Sequence, residues 1–129
     1  RIPPQSIDAE KAILGSIMLR PGAIHEINDM ISAESFYATK HSNIYKIMLE
    51  LSSKGEPIDI LTVSHNLEGK GLLDQVGGSS YLSELTNSVP SSTSIKYYAD
   101  IVNKKNILSF LCVCIHSSLF LSLSSVFSV

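Results

Sequence analysis

The chain has 129 residues, of which 44% are hydrophobic and 17% charged, and its formal net charge is −2. A chain of this size and composition can bury the apolar core of one domain, which argues against intrinsic disorder. The slight excess of acid argues against a free-standing, sequence-independent DNA binder, and two cysteines are too few for a disulfide scaffold.

Charge is distributed unevenly along the chain. All 10 basic and 12 acidic side chains lie within residues 1–105, whereas residues 106–129 carry none apart from the ionisable His116. We therefore predict a globular domain over residues 1–105 and an atypical apolar tail over residues 106–129. The chain starts at Arg1 without a methionine or a signal peptide, which indicates a trimmed or partial sequence.

Apolar side chains at helical spacing predict a first helix near the amino terminus. Ser6 is placed to cap it, and the acidic Asp8 and Glu10 are placed in its first turn, where the helix dipole favours them. The segment Arg20-Pro21-Gly22 then ends the helix. Its apolar stripe, which we expect in the core, consists of Ile13, Leu14, Ile17 and Met18.

Two further helices are predicted before residue 56. A short second helix carries apolar residues between Ile24 and Ile31. Thr39 is placed to cap the third helix, which includes His41 and ends at Gly55.

The same reasoning gives three more helices. Asp59 caps the fourth, Gly77-Gly78 precedes the fifth, and the sixth starts near Ile95 after a Ser- and Thr-rich loop. Apolar and polar residues do not alternate with period two over the length of a strand, which argues against a sheet. The sequence therefore predicts an all-α fold, a compact bundle of about six short helices, followed by an uncharged, apolar and Ser-rich tail.

Residues 1–105 contain no motif that is typical of an enzyme. The segment most similar to a phosphate-binding loop is Glu68-Gly69-Lys70-Gly71-Leu72. It lacks the serine or threonine after the lysine and the strand before the loop. We interpret it as a turn at a helix end, and so predict no cofactor in this chain. The pair Asp8 and Glu10 fits a helix start better than acid–base catalysis.

Histidines do not form a metal site in this part of the sequence. His25, His41 and His65 lack histidine or cysteine partners at ligand spacing, so each is interpreted as a surface or satisfied core residue. Of these, His41 is placed to hydrogen-bond back to the loop that contains Phe36 and Tyr37.

Five sequence blocks occur in the order and spacing of a known family. The blocks are RIPPQSIDAEKAILGSIML, FYATKHSNIYKIM, GEPIDILTV, GLLDQVGGSSYLSEL and VPSSTSIKYYADIVNKK. Together they resemble the N-terminal domain of DnaB-type replicative DNA helicases, over residues 1 to about 108.

The resemblance implies a scaffold and docking role. Helicases of this family are hexameric, ATP-driven enzymes of the replication fork, in bacteria or organelles. Their N-terminal domains form a collar and dock the C-terminal domain of primase. ATP, Mg2+ and DNA bind through a separate RecA-like domain that is absent here, so this chain alone is not expected to be an enzyme.

Two tyrosines are the candidate partner-binding residues. Exposed aromatic side chains are common at the centres of protein interfaces. Tyr81 opens a helix after Gly77-Gly78, and Tyr97 points away from the apolar stripe that includes Tyr98. Plain packing is the alternative for both Tyr81 and Tyr97.

The tail departs from the family, which continues with a charged helical hairpin that pairs subunits. Residues 106–129 have about the length of a membrane span, with Lys104-Lys105 on the cytoplasmic side. Alternatively, Cys112, Cys114 and His116 bind a metal, although a fourth ligand is missing. We favour a third interpretation, a non-native reading frame, because these residue types share pyrimidine-rich codons. Loss of the hairpin puts hexamer assembly in question.

Three functions are therefore compared. The first is the partner-docking domain of a replicative helicase. The second is a stand-alone adaptor or inhibitor that binds primase or helicase rings. The third is a small membrane-anchored helical protein.

Overall fold

The computed structural model describes residues 4–90 and 94–104, with side chains from Ser6 onward. Short 3-10 turns lie at Pro21–Ala23 and Ala33–Ser35. No strand occurs in the described ranges, so the predicted all-α fold is confirmed. The helices are α1 (Pro4–Leu19), α2 (Ile24–Ile27), α3 (Thr39–Ser53), α4 (Ile60–Gly69), α5 (Leu73–Val76), α6 (Gly78–Asn87) and α7 (residues 95–104).

One hydrophobic core holds these helices together. Helix α1 packs against α6 and α3, while α4 lies against both α3 and α6. The predicted stripe of α1 is confirmed as core, because Leu14 and Ile17 are completely buried. The largest buried side chains on the other helices are Ile24, Ile27, Ile44, Tyr45, Met48, Leu51, Leu67, Leu82 and Leu85.

A glycine in the middle of α1 lets two helices approach closely. A Cβ added to Gly15 would lie 2.1 Å from the carbonyl oxygen of Leu85 in α6. Glycine normally weakens a helix interior. Its presence here follows from the α1–α6 contact, which brings backbone against backbone.

The predicted helix ends of α3 and α4 are confirmed. The Asp59 side chain accepts a hydrogen bond from the Thr62 N–H at 2.8 Å and so caps α4. Both helices end in the same motif, in which the amide after a left-handed glycine bonds to a carbonyl of the last turn, Glu56 to Leu51 and Leu72 to Leu67. The segment 68–72 is therefore a helix end, as predicted.

Some predicted helix starts are wrong. Helix α1 begins at Pro4, so Ser6 lies inside the helix as a buried residue and is not its cap. Proline is tolerated in a first turn, where its missing N–H has no partner to lose. Thr39 is the first residue of α3; the residue before it, Ala38, occupies the cap position without a side-chain bond.

Two short segments also differ from the prediction. Helix α2 ends at Ile27, and residues 28–30 form a turn instead of continuing to Ile31. One extra turn of helix, α5, precedes Gly77. It is too short to produce a helical hydrophobic period in the sequence.

The interpretations of the tail lie outside the described residues. This applies to the metal ligands Cys112, Cys114 and His116, to the membrane span and to the altered reading frame. Within the described residues, no helix is both long and apolar enough to cross a membrane. The domain boundary at residues 105–106 stays a prediction.

Candidate protein-docking site

Glu10 carries its carboxylate into the protein interior, although the sequence suggested a helix-start role. Its side chain is 2% exposed. One oxygen accepts a hydrogen bond from the Tyr37 N–H at 2.6 Å, and the other accepts from the Ala38 N–H at 3.4 Å and lies 2.7 Å from His41 Nδ1. The helix-start interpretation of Glu10 is therefore wrong, because the carboxylate holds the loop before α3.

His41 extends this chain of hydrogen bonds to a third helix. Its Nε2 lies 2.6 Å from the hydroxyl oxygen of Tyr81, and the two rings stack with centroids 5.9 Å apart. Since the Glu10 carboxylate only accepts hydrogen bonds, Nδ1 is assigned the hydrogen of their shared bond. The cluster Glu10–His41–Tyr81, which we call the polar chain, thus links α1, α3 and α6.

The surroundings of Tyr81 fix both its backbone and its ring. Gly77 has φ +105°, and a Cβ at this position would lie 2.9 Å from the Tyr81 Cβ, so a glycine suits the start of α6. The Lys40 ammonium lies 4.0 Å from the centroid of the Tyr81 ring, within cation–π distance. Burial raises the pKa of Tyr81 to about 12, and the nearby carboxylates of Glu84 and Glu10 act in the same direction.

The structure thus places Tyr81 mostly in the interior, with 9% of the residue exposed. Packing accounts for most of its surface, and its part in partner binding stays a prediction. The expected bond from His41 to the Phe36–Tyr37 loop is indirect: His41 contacts Glu10, which bonds the loop amides. This arrangement is hard to foresee from local sequence patterns, because His41 lies 31 residues from Glu10 and 40 from Tyr81.

Tyr97 lies on a different part of the surface. It is 58% exposed on α7, and its ring meets that of Tyr98 edge-on at 5.6 Å. Tyr98 packs partly against the core, as expected, and borders an open cleft of about 300 Å³ with Asp8, Lys11 and Pro90. In the described ranges, no ring-to-ring contact joins the two candidate tyrosines, Tyr81 and Tyr97.

Sequence reasoning did not single out Tyr37 as a site residue. Its side chain is 65% exposed, although its backbone N–H is anchored on Glu10. The signal for it is the aromatic pair Phe36-Tyr37, of which Phe36 packs on Tyr45 with centroids 5.0 Å apart. Tyr37 is thus a surface aromatic residue on a loop that the core holds in place.

His25 and His65 are exposed, while His41 lies in the core with both ring nitrogens within hydrogen-bond distance of a partner. Among the residues that the structure describes, no group of three or more His, Cys, Asp or Glu side chains could hold a metal ion.

The fold and the polar chain define the class of this protein. It is a small all-α domain whose core holds in place the loop with the exposed Tyr37 and the start of α6. Comparison with known proteins then identifies the family. Residues 2–104 match the family model of the DnaB-like helicase N terminal domain, and the chain belongs to this family. The resemblance inferred from the five sequence blocks is confirmed.

Bacterial replicative helicases are among the similar proteins. The chain is 46% identical over 108 residues to the replicative DNA helicase DnaC of Bacillus subtilis, covering 84% of this chain and 24% of that protein. It is 44% identical over 108 residues to the replicative DNA helicase DnaB of Geobacillus stearothermophilus, with the same shares covered. The chain thus spans about a quarter of the length of these relatives.

Solved structures agree with this assignment. The crystal structure of the N-terminal domain of DnaB helicase from Mycobacterium tuberculosis superposes with a TM-score of 0.78 and 38% identity, covering 83% of this chain and 74% of that one. A structure of a DnaB-like replicative helicase and its interactions with primase gives a TM-score of 0.74 and 32% identity, covering 91% of this chain and 27% of that one.

Proposed function

We propose that this domain is the primase-docking collar domain of a replicative DNA helicase. The observation that carries the proposal is the similarity, at 32% identity, to a helicase whose structure includes interactions with primase. The partner is the primase C-terminal domain, and Tyr81 and Tyr97 are the proposed contact residues. Tyr97, which is 58% exposed, offers a large and rigid contact area with a polar end, whereas Tyr81 offers only the exposed edge of a ring that the core holds in place.

The chemistry of the parent helicase lies in another domain. The family matched here is an N-terminal domain that covers about a quarter of its relatives. We propose that ATP and Mg2+ bind in the domain that this sequence does not include, and that DNA is contacted there. The domain acts at the replication fork, in the cytoplasm of a bacterium or within an organelle, alongside other helicase subunits.

Primase binding is tested directly by titration calorimetry. The full 129-residue chain is titrated with the C-terminal domain of primase from the same source. We expect saturable 1:1 binding that Tyr97→Ala weakens several-fold, since Tyr97 is exposed and its removal leaves the core intact. The matched control is Lys96→Ala, a neighbouring exposed residue on α7.

Two results would contradict the proposal. The first is no binding of primase by a chain that is folded by circular dichroism. The second is binding to assembled helicase rings without binding to primase, which would support the adaptor or inhibitor instead.

A further inference from the structure

We propose that Tyr37 joins Tyr81 in the docking surface for primase, and that Glu10 and His41 are positioning residues that hold these two tyrosines. The inference rests on the proposed primase docking and adds residues to that site. Glu10 fixes the loop that carries Tyr37, while His41 fixes the Tyr81 ring on α6. Neither positioning residue is accessible to a partner, since both side chains are at most 2% exposed.

The hydrogen bonds connect two separate chain segments at one point. The Glu10 carboxylate receives the Tyr37 N–H at 2.6 Å and faces His41 Nδ1 at 2.7 Å, and His41 Nε2 reaches the Tyr81 hydroxyl at 2.6 Å. The loop with Tyr37 and the first turn of α6 are therefore held to the same buried carboxylate. A displacement of the Tyr37 backbone or of the Tyr81 hydroxyl would break one of these buried hydrogen bonds.

The exposed side chain of Tyr37 is not explained by the packing of the domain. Phe36, beside it, fills the core against Tyr45, whereas Tyr37 leaves 65% of its surface in solvent. Lys40, three residues later in the sequence, lies over the Tyr81 ring. The loop before α3 and the start of that helix therefore carry both the exposed Tyr37 and the cation that contacts Tyr81, and interface centres are enriched in anchored aromatic groups.

A buried polar cluster often has a purely structural role, and its energetics do not require a functional one. Replacing a buried ion pair by well-packed apolar residues is often neutral or stabilising. The polar chain instead fixes the orientation of the groups that it bonds, which are the backbone amides of Tyr37 and Ala38 and the hydroxyl of Tyr81. The proposal therefore needs a measurement of binding that is separate from the measurement of stability.

The first experiment tests Tyr37 as a contact residue. Calorimetric titration of the full chain with the primase C-terminal domain is repeated for Tyr37→Ala and for Leu19→Ala. Leu19 is 62% exposed and lies nine residues beyond Glu10 on α1, which is about 14 Å along the helix. We expect Tyr37→Ala to raise the Kd at least about tenfold, as for an interface anchor, and Leu19→Ala to leave it unchanged.

The second experiment separates positioning from folding. In His41→Gln the amide reaches the place of Nε2 and keeps a bond to Tyr81, whereas in His41→Asn it reaches only the place of Nδ1 and keeps the bond to Glu10. We expect His41→Asn to raise the Kd about three- to tenfold, the value of one hydrogen bond, and His41→Gln to retain the wild-type Kd. Urea unfolding of both variants gives the folded fraction used to correct the titrations.

If the wild-type chain does not bind primase, the proposed function fails. If the wild-type chain binds but Tyr37→Ala matches Leu19→Ala, or if both folded His41 variants keep the wild-type Kd, the inference fails and the polar chain is structural. If Tyr37→Ala alters only self-association in sedimentation experiments, the face binds a second copy of this chain, which also overturns the proposal.

Discussion

Tyr45 and Tyr81 are buried tyrosines with opposite hydrogen-bonding situations. The Tyr45 hydroxyl is fully buried and no group in the described part of the chain bonds to it, whereas the Tyr81 hydroxyl bonds to His41. A buried hydroxyl without a partner costs about 1–3 kcal/mol of desolvation that removal of the group recovers. The same substitution is therefore expected to have opposite effects at the two positions.

We predict that Tyr45→Phe raises the free energy of unfolding by about 1 kcal/mol, while Tyr81→Phe lowers it by a similar amount. Urea unfolding followed by circular dichroism measures both values. A loss of stability in Tyr45→Phe would show that its hydroxyl has a bonding partner after all.

The raised pKa values of Tyr45 and Tyr81 also predict that the domain loses stability in alkali. Burial raises the pKa of Tyr45 and of Tyr81 from 10.0 to about 12. Between these values the unfolded chain has lost protons that the native chain still holds, so the free energy of unfolding falls as the pH rises from 10 towards 12 and is unaffected below 10. Urea unfolding over this range tests the sign, and Tyr45→Phe should reduce the slope.

The cap of α4 gives a prediction at acid pH. Replacing Asp59 by Ala removes the acceptor of the Thr62 N–H, which should cost about 1 kcal/mol. The bonds to Thr62 hold the pKa of Asp59 below its usual 3.8, so the difference from wild type is present above pH 3.8 and disappears as the pH falls through the lowered pKa. Asp29→Ala, an exposed acid in a turn, is the control and should show no such difference.

At the scale of elements, the contact between α1 and α6 determines what the middle of α1 can hold. An added Cβ at Gly15 would meet backbone atoms of Leu85 at 2.1 and 2.8 Å. Backbone cannot move aside as a flexible side chain can, so the two helices would have to separate. Tyr81 and the polar chain lie on the same α6, and they would be displaced with it.

We therefore predict that Gly15→Ala lowers the free energy of unfolding by about 3 kcal/mol, at the upper end of overpacking effects. Gly69→Ala at the end of α4 is the matched control, since its Cβ meets nothing within 4 Å. Alanine favours helix over glycine by up to about 1 kcal/mol, so this control should be neutral or slightly stabilising. Thermal unfolding distinguishes the two, and a stable Gly15→Ala would show that the helices separate at little cost.

At the scale of the whole molecule, Glu10 links elements that are distant in the sequence. Removing it leaves the amides of Tyr37 and Ala38 and the Nδ1 of His41 buried without their acceptor. Breaking one side of a buried charged cluster costs more than the cluster contributes, because the partners stay desolvated.

We predict that Glu10→Ala lowers the free energy of unfolding by about 3–5 kcal/mol. Asp8→Ala, two residues earlier and exposed, should change it by less than about 0.5 kcal/mol. Urea unfolding of both variants tests the difference. Equal effects would mean that the carboxylate of Glu10 is solvated rather than buried.

The helical fold, most of the core and the family follow from local patterns in the amino-acid sequence. Leu14 and Ile17 repeat with the helical period, and Asp59 and Gly55 mark helix ends through bonds to residues only a few positions away. Such local rules are readable because the interacting groups are close in the chain. The five sequence blocks are also local patterns, and their order was enough to identify the DnaB-like helicase N terminal domain.

The roles of Glu10, His41 and Gly15 emerge only from the packing of the helices. Glu10 had the sequence signature of an acid in a first helical turn, but α1 begins at Pro4, three residues before the start that a Ser6 cap implies, and the Glu10 side chain is buried. Its partners come from a loop and from α3, and the Leu85 carbonyl that excludes a side chain at Gly15 comes from α6. These roles depend on contacts between residues tens of positions apart, and only the packing of the helices brings them together.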